Sequence, residues 1–203
     1  LLYKELKGNG HNIINLDLGG GIGVPYDNNT KPFHIDKYAD LINQKFGALD
    51  CKLIFEPGRY ITANAGILLT KVIINKESYN NNFLIIDAAM NDILRPALYD
   101  AYHEVISVKE NIKGQELIDY QVVGPICETG DIICRKAVLN KIEREDLLAI
   151  KFAGAYGAVM SSEYNTRPLI PEVMVNKDEF AIIRNRPSYE EIIDRDIIPN
   201  WLR

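Results

Sequence analysis

Cysteine, tryptophan and histidine are all scarce in this sequence. The three cysteines, Cys51, Cys127 and Cys134, form no CxxC pair, and an odd count argues against a disulfide scaffold and for a reducing compartment. The three histidines, His11, His34 and His103, lie far apart, and neither HExxH nor a zinc-like cysteine spacing occurs, so no metal site is expected. A GxSxG elbow is missing, which removes the usual α/β serine hydrolase. Excess positive charge is missing too: 23 Lys+Arg against 28 Asp+Glu give a net charge of −5, which excludes nucleic acid and anionic membranes as expected partners. Apolar runs such as residues 83–86 and 147–150 fall far short of the roughly 20 residues that span a bilayer. The chain opens on Leu1 rather than Met, and residues 1–7 read as the end of an amphipathic helix without a signal-peptide pattern. The expectation is a cytoplasmic protein whose sequence starts in mid-structure.

The 203 residues, 47% of them apolar, suffice for one large domain or two small ones. Two textures divide the chain. Up to about residue 65, an apolar strand over 13–18 leads through a glycine loop to a helix and a second short strand over 52–55. Ile35, Tyr38, Leu41, Ile42 and Phe46 stand at helical spacing, with Gly47 as the stop. Strand, helix and strand without a hairpin predict a parallel βαβ unit. Beyond Gly66 the pattern turns to β-branched stretches at 67–75, 82–87, 103–108, 119–123, 131–138, 149–153 and 172–175. Turn signals at Asn80-Asn81-Asn82, Lys113-Gly114 and Asn176-Lys177-Asp178 predict an antiparallel β domain. The charge run Lys141-Ile142-Glu143-Arg144-Glu145-Asp146 reads as a solvated loop.

Five motifs could carry chemistry, and each has a bland reading. Gly19-Gly20-Gly21-Ile22-Gly23 follows a strand directly, so bare amides there can converge on a phosphate, or the glycines can merely permit a tight turn. Val24 and Pro25 spoil a Rossmann fingerprint, and no Gly-Lys-Ser/Thr follows for a P-loop. Glu56-Pro57-Gly58-Arg59 stands at the carboxyl end of the second strand, where parallel barrels place their chemistry, or it is a salt-bridged surface loop. Arg95 and Tyr99, four apart around Pro96, could clamp a carboxylate from one face of a short helical turn. Gly124-Pro125-Ile126-Cys127-Glu128-Thr129-Gly130-Asp131 reads as a loop whose thiol either donates a proton or is an inert buried cysteine. Gly154-Ala155-Tyr156-Gly157 gives a tyrosine hydroxyl room to reach a ligand, or is packing.

In this order the motifs resemble the carboxyl-terminal half of the diaminopimelate decarboxylase family, among the alanine racemase-like (fold type III) pyridoxal-phosphate enzymes. The resemblance runs from about Asn15 to Trp201. Glu56-Pro57-Gly58-Arg59 is shared with ornithine and arginine decarboxylases. Met90-Asn91-Asp92 through Arg95-Pro96 and Tyr99, then Cys127-Glu128-Thr129-Gly130-Asp131, then Ser161-Ser162 through Tyr164-Asn165 and Arg167-Pro168, are specific in combination. Ala89, Val24 and Glu163 depart from the residues common in the family.

The resemblance implies the last strands of a (β/α)8 barrel over residues 1–65, then an antiparallel β-rich carboxyl-terminal domain over 66–203. It implies pyridoxal 5'-phosphate as cofactor, its phosphate held by Gly19, Gly20, Gly21, Gly58 and Tyr156, with Glu56 on the pyridine nitrogen and Arg59 serving phosphate or substrate. Arg59, Arg95, Tyr99, Glu128 and Tyr156 would bind the substrate, meso-diaminopimelate, and Cys127 would act as the proton donor that yields L-lysine. Cys127 and Glu128 would reach the partner's active site, which implies a homodimer. The family's Schiff-base lysine belongs to an earlier barrel strand, so this stretch alone is expected to be inactive. The competing readings are a decarboxylase of arginine, ornithine or carboxynorspermidine, a non-catalytic regulatory relative, and a β-domain that binds a sugar or anion.

Overall fold

The computed structural model describes residues 2–27, 30–79, 81–109 and 114–202. Its amino-terminal part contains α1 (Leu2–Gly8), β1 (Asn15–Asp17), α2 (Ile35–Phe46), β2 (Lys52–Ile54) and α3 (Gly58–Thr62). β1 and β2 pair in parallel with Leu16 opposite Leu53, as the strand–helix–strand order predicts. The helix falls where its apolar spacing puts it, and the Gly47 amide closes it on Asn43. Gly47 itself stays right-handed, so no left-handed cap is needed. Of the apolar stripe only Ile42 is buried, whereas Ile35 and Leu41 lie open.

The second part contains β3 (Leu68–Glu77), β4 (Asn82–Ile86), α4 (Arg95–Tyr99), β5 (Val105–Ser107), β6 (Ile118–Val123), β7 (Ile132–Leu139), β8 (Leu147–Ile150), β9 (Glu172–Asn176), β10 (Glu179–Arg184) and α5 (Tyr189–Ile193). Six strands join in the order β5-β8-β3-β4-β6-β7. The edge strands β5 and β7 come into contact, so the sheet is nearly closed. Closure hides edges that would otherwise invite pairing with other chains. Leu84, Ile86, Val72, Val122, Leu148 and Ile150 are fully buried in its core. Each such side chain contributes about 1.5–3 kcal/mol of hydrophobic stabilisation.

One expectation fails here. The sheet is not antiparallel throughout, because β4 runs parallel to β6, with Leu84 opposite Val122. Between them the chain leaves through α4, adds β5 to the far edge beside β8, and only then returns. A connection of that length can bring a strand back in the same direction, which a hairpin cannot. At the turn signal Asn80-Asn81-Asn82, Asn81 exchanges backbone hydrogen bonds with Ser78. The signals at Asn80 and Lys113 lie outside the described residues.

A separate hairpin follows the sheet. β9 and β10 pair across the two-residue turn Lys177-Asp178, and β10 was not expected from sequence. The charge run at 141–146 is only partly solvated. Lys141, Glu143, Arg144 and Glu145 make surface ion pairs, but Ile142 and Asp146 are buried. Asp146 is held by Lys109 and by the Glu143 amide, and those partners pull its carboxyl below the usual range despite burial.

Candidate active site

The glycine loop leaves the end of β1, and Glu56 leaves the end of β2, so the parallel pair delivers both tips to the same edge. Leu18 donates to the Ile54 carbonyl at 3.0 Å, and Glu56 donates to the Gly19 carbonyl at 2.9 Å, which continues the ladder into the loops. Asp17 accepts the Gly19 amide at 2.7 Å and folds the loop back. Gly20 is required by contact: a Cβ there would land on the Glu56 carbonyl oxygen. Gly19 and Gly21 have φ of 68° and 77°, a left-handed geometry that glycine adopts without strain. Among the described residues the Gly20 and Gly21 amides donate to no protein acceptor.

Arg59 follows on α3, and its guanidinium lies 5.8 Å from the centre of the Tyr156 ring. Tyr156 is presented by a loop pressed against α3. Gly154 donates to Ala63 at 3.2 Å, and a Cβ on Gly154 would strike the Thr62 carbonyl. Ala63, Val24 and Ala155 are buried together, flanked by Tyr26, Tyr60 and Phe152. This small core joins the glycine loop, α3 and the Tyr156 loop. The Gly58 amide donates to the Glu56 carbonyl at 2.8 Å and is thereby committed to the turn.

Arg95 is placed differently from the sequence expectation. The helical start forms around Pro96, but Arg95 is only 7% exposed whereas Tyr99 is 63% exposed, so the two side chains do not share one open face. The guanidinium is drawn inward instead. Its carbon sits 4.8 Å from the centre of the Tyr26 ring, and Nη1 lies 2.8 Å from His103 Nε2. Tyr26 also meets His103 edge-on at 5.3 Å and Phe152 at 5.4 Å. Because Tyr26 lies just beyond the glycine loop, it links that loop to Arg95.

Cys127 and Glu128 stand exposed on the connection between β6 and β7. The loop is pinned from beneath by Asp131, which accepts the amides of Ile126 at 2.8 Å and Met90 at 2.7 Å. Burial pushes the Asp131 carboxyl upward, and the two amides oppose this. Arg167 ties the Met90 segment from the other side, donating to Asn91 Oδ1 at 3.0 Å and the Asp87 carbonyl at 2.6 Å. It also faces buried Asp92, whose carboxyl burial raises. The Cys127 Sγ receives the Asn165 side-chain amide at 3.7 Å. Among the described residues no hydrogen bond or ion pair joins Cys127 or Glu128 to the glycine loop, Glu56 or Arg95.

Within one chain, then, Gly19, Gly20, Gly21, Glu56, Gly58, Arg59 and Tyr156 gather at one edge, and Arg95 joins them through Tyr26. The sequence reading gives no role to Tyr26, His103, Asp131 or Arg167, although Asp131 and Arg167 stand within motifs quoted there. Tyr26 had the signal of following a glycine loop directly. His103 had none, since its partner Lys151 is 48 residues away. No group of acidic, histidine or cysteine side chains suited to a metal occurs among the described residues, and no described helix is long and apolar enough to cross a membrane.

The family model described as the C-terminal sheet domain of pyridoxal-dependent decarboxylases matches residues 25–154. A diaminopimelate decarboxylase of Zymomonas mobilis is 47% identical over 202 residues, 99% of this chain and 47% of its own length. That of Aquifex aeolicus is 41% identical, over 95% of this chain and 46% of its own length. A crystal structure of diaminopimelate decarboxylase from Helicobacter pylori, complexed with L-lysine, superposes with a TM-score of 0.87 at 38% identity, covering 96% of this chain and 47% of that one. The chain thus spans about half the length of the curated relatives it matches. With sheet, site edge and sequence in agreement, the chain belongs to the pyridoxal-dependent decarboxylases.

Proposed function

We propose that the chain is the carboxyl-terminal part of a pyridoxal-phosphate-dependent decarboxylase that converts meso-2,6-diaminopimelate into L-lysine and carbon dioxide. On this reading residues 1–65 belong to a (β/α)8 barrel and residues 66–203 to the sheet domain. The observation that carries it is the meeting of two loop tips at neighbouring strand ends, joined by the 2.9 Å bond from Glu56 to Gly19. The names of relatives 41–47% identical point to the same substrate.

The residues fit the cofactor. Two amides without protein acceptors, Gly20 and Gly21, suit a phosphate, because neutral donors can share its charge cooperatively. The Gly20 approach to Glu56 leaves no room for a side chain between the tips. Glu56 puts a carboxylate beside them, where a ring nitrogen would need a proton held. When bound, the cofactor supplies an electron sink for the bond that breaks.

This chain's residues would then divide the work. Glu56 holds a proton at the pyridine nitrogen, and Tyr156 reaches the phosphate or the substrate. Arg59, Arg95 and Tyr99 read a substrate carboxylate, since a planar guanidinium forks onto it. Glu128 takes the distal ammonium. Cys127 gives its thiol proton to the carbon that has lost carbon dioxide. Exposed Cys127 and Glu128 serve the partner's site in a homodimer, and the enzyme works in the cytoplasm as part of lysine biosynthesis. The test is carbon dioxide release by the full-length protein loaded with pyridoxal phosphate. Release from meso-diaminopimelate and not from arginine or ornithine supports the reading, and the reverse preference overturns it.

A further inference from the structure

Arg95 is the arginine that the proposed reaction assigns to a substrate carboxylate, yet it is almost wholly buried, and among the described residues its guanidinium has one hydrogen-bond partner, His103. His103 is itself 0% exposed, one residue before the Glu104–Lys151 ion pair and two before β5. Its two ring nitrogens face groups of fixed role. Nε2 meets Arg95 Nη1 at 2.8 Å, and Nδ1 meets the Lys151 carbonyl at 2.9 Å. A guanidinium only donates and a carbonyl only accepts. Nε2 must therefore accept, Nδ1 must carry the hydrogen, and the ring must be neutral. A proton on Nε2 would remove the acceptor and set two cations together. Burial first, and then the Arg95 charge, depress the affinity of this imidazole for a proton.

The third side of Arg95 is the Tyr26 ring at 4.8 Å, which also packs on His103 at 5.3 Å. An acceptor at one corner and an aromatic face beneath leave the guanidinium little freedom to turn. Its other N–H groups have no protein acceptor among the described residues. We propose that neutral His103, backed by Tyr26, is a positioning residue that aims the free edge of the Arg95 guanidinium at the substrate carboxylate. The inference rests on the reading of Arg95 given under Proposed function.

The test is a double-mutant cycle in the full-length protein loaded with pyridoxal phosphate. It records KM and kcat for meso-diaminopimelate, the calorimetric Kd for L-lysine, and cofactor absorbance. Asn at 103 reaches the Nδ1 position and keeps the bond to Lys151, but it withdraws the acceptor from Arg95. Gln reaches the Nε2 position and restores that acceptor. His103→Asn should raise KM and the L-lysine Kd about tenfold or more with a smaller change in kcat, while His103→Gln stays within roughly threefold of the parent. In an Arg95→Gln background, His103→Asn should add less than about twofold, because it acts through the missing group. Equal effects of Asn and Gln, multiplying effects in the double variant, or loss of cofactor by both single variants would each overturn the proposal. If Arg95→Gln alone leaves KM and Kd unmoved, the reading of Arg95 itself fails. That outcome differs from one in which Arg95→Gln weakens binding and His103→Asn does not, which sinks only the positioning role.

Discussion

The backbone amide of Glu56 donates to the carbonyl of Gly19 at 2.9 Å, so a potential ring-nitrogen partner and a potential phosphate loop are held side by side by main chain alone. The geometry follows from two short parallel strands in register, Asn15 to Asp17 against Lys52 to Ile54. Side-chain substitutions at the tips should therefore alter chemistry without separating the tips, and backbone crowding between them should do the opposite.

Gly20→Ala supplies that crowding. A methyl group at this position would collide with the Glu56 carbonyl oxygen, a main-chain atom that cannot swing aside. The full-length variant should bind pyridoxal phosphate at least roughly tenfold more weakly, as overpacking of a rigid contact costs about 1–3 kcal/mol. Titration of cofactor absorbance checks this, and unchanged affinity would show that the close approach is irrelevant to binding.

Asp131 joins two segments that carry proposed site residues, because its carboxylate takes the amides of Met90 and Ile126. Asp131→Ala leaves two inward-facing amides without an acceptor and should destabilise the protein by about 2–4 kcal/mol. It should also change the rate at which exposed Cys127 reacts with a thiol reagent, since the pin sits next to that residue. Chemical denaturation and reagent kinetics measure the two effects separately.

His103 makes a signed pH prediction. The groups facing it are Arg95 from α4, the Tyr26 ring, and the Lys151 carbonyl, with the Glu104–Lys151 ion pair adjoining. Its affinity for a proton is depressed in the fold below the ordinary value of 6.5, so the unfolded chain takes up the proton first on acidification. The stability due to neutral His103 is present above about pH 6.5 and is lost as pH falls through the folded value. Asp92 and Asp131, raised by burial, act with the opposite sign: their contribution is present at low pH and lost as pH rises. Thermal melts of the parent and His103→Gln at pH 5 and 7.5 isolate the histidine. The parent should lose more stability toward pH 5 than the variant does.

The proposed sharing of each active site between two chains predicts complementation. Cys127→Ala protein mixed with a full-length variant lacking the cofactor-anchoring lysine should regain activity through hybrid dimers. Random pairing limits that recovery to about a quarter of parental turnover per site. No recovery after verified subunit exchange would count against a site built from two chains.

The elements most legible in sequence were those with local signals. The spacing of Ile35, Tyr38, Leu41, Ile42 and Phe46 located α2, and the glycine loop and the Glu56 turn were found because each follows an apolar strand. Direction and pairing were less legible. Nothing in residues 82–86 or 118–123 says that those strands run parallel, since that depends on the path of the chain between them. β10 was missed because Ala181, Ile182 and Ile183 break strict alternation, and the hairpin is open to solvent on both faces. The inward turn of Arg95 was invisible for another reason. Its partners Tyr26 and His103 meet it through tertiary packing, and His103 is fixed by a carbonyl 48 residues on.

The most direct measurement concerns Glu56. Glu56→Gln keeps the size of the side chain and the backbone bond to Gly19 but removes the negative charge that would hold a proton on the ring nitrogen. In the full-length protein, turnover of meso-diaminopimelate should fall by at least roughly a hundredfold while bound-cofactor absorbance stays near that of the parent. Turnover equal to the parent's, with the cofactor still bound, would contradict the role given to the paired tips.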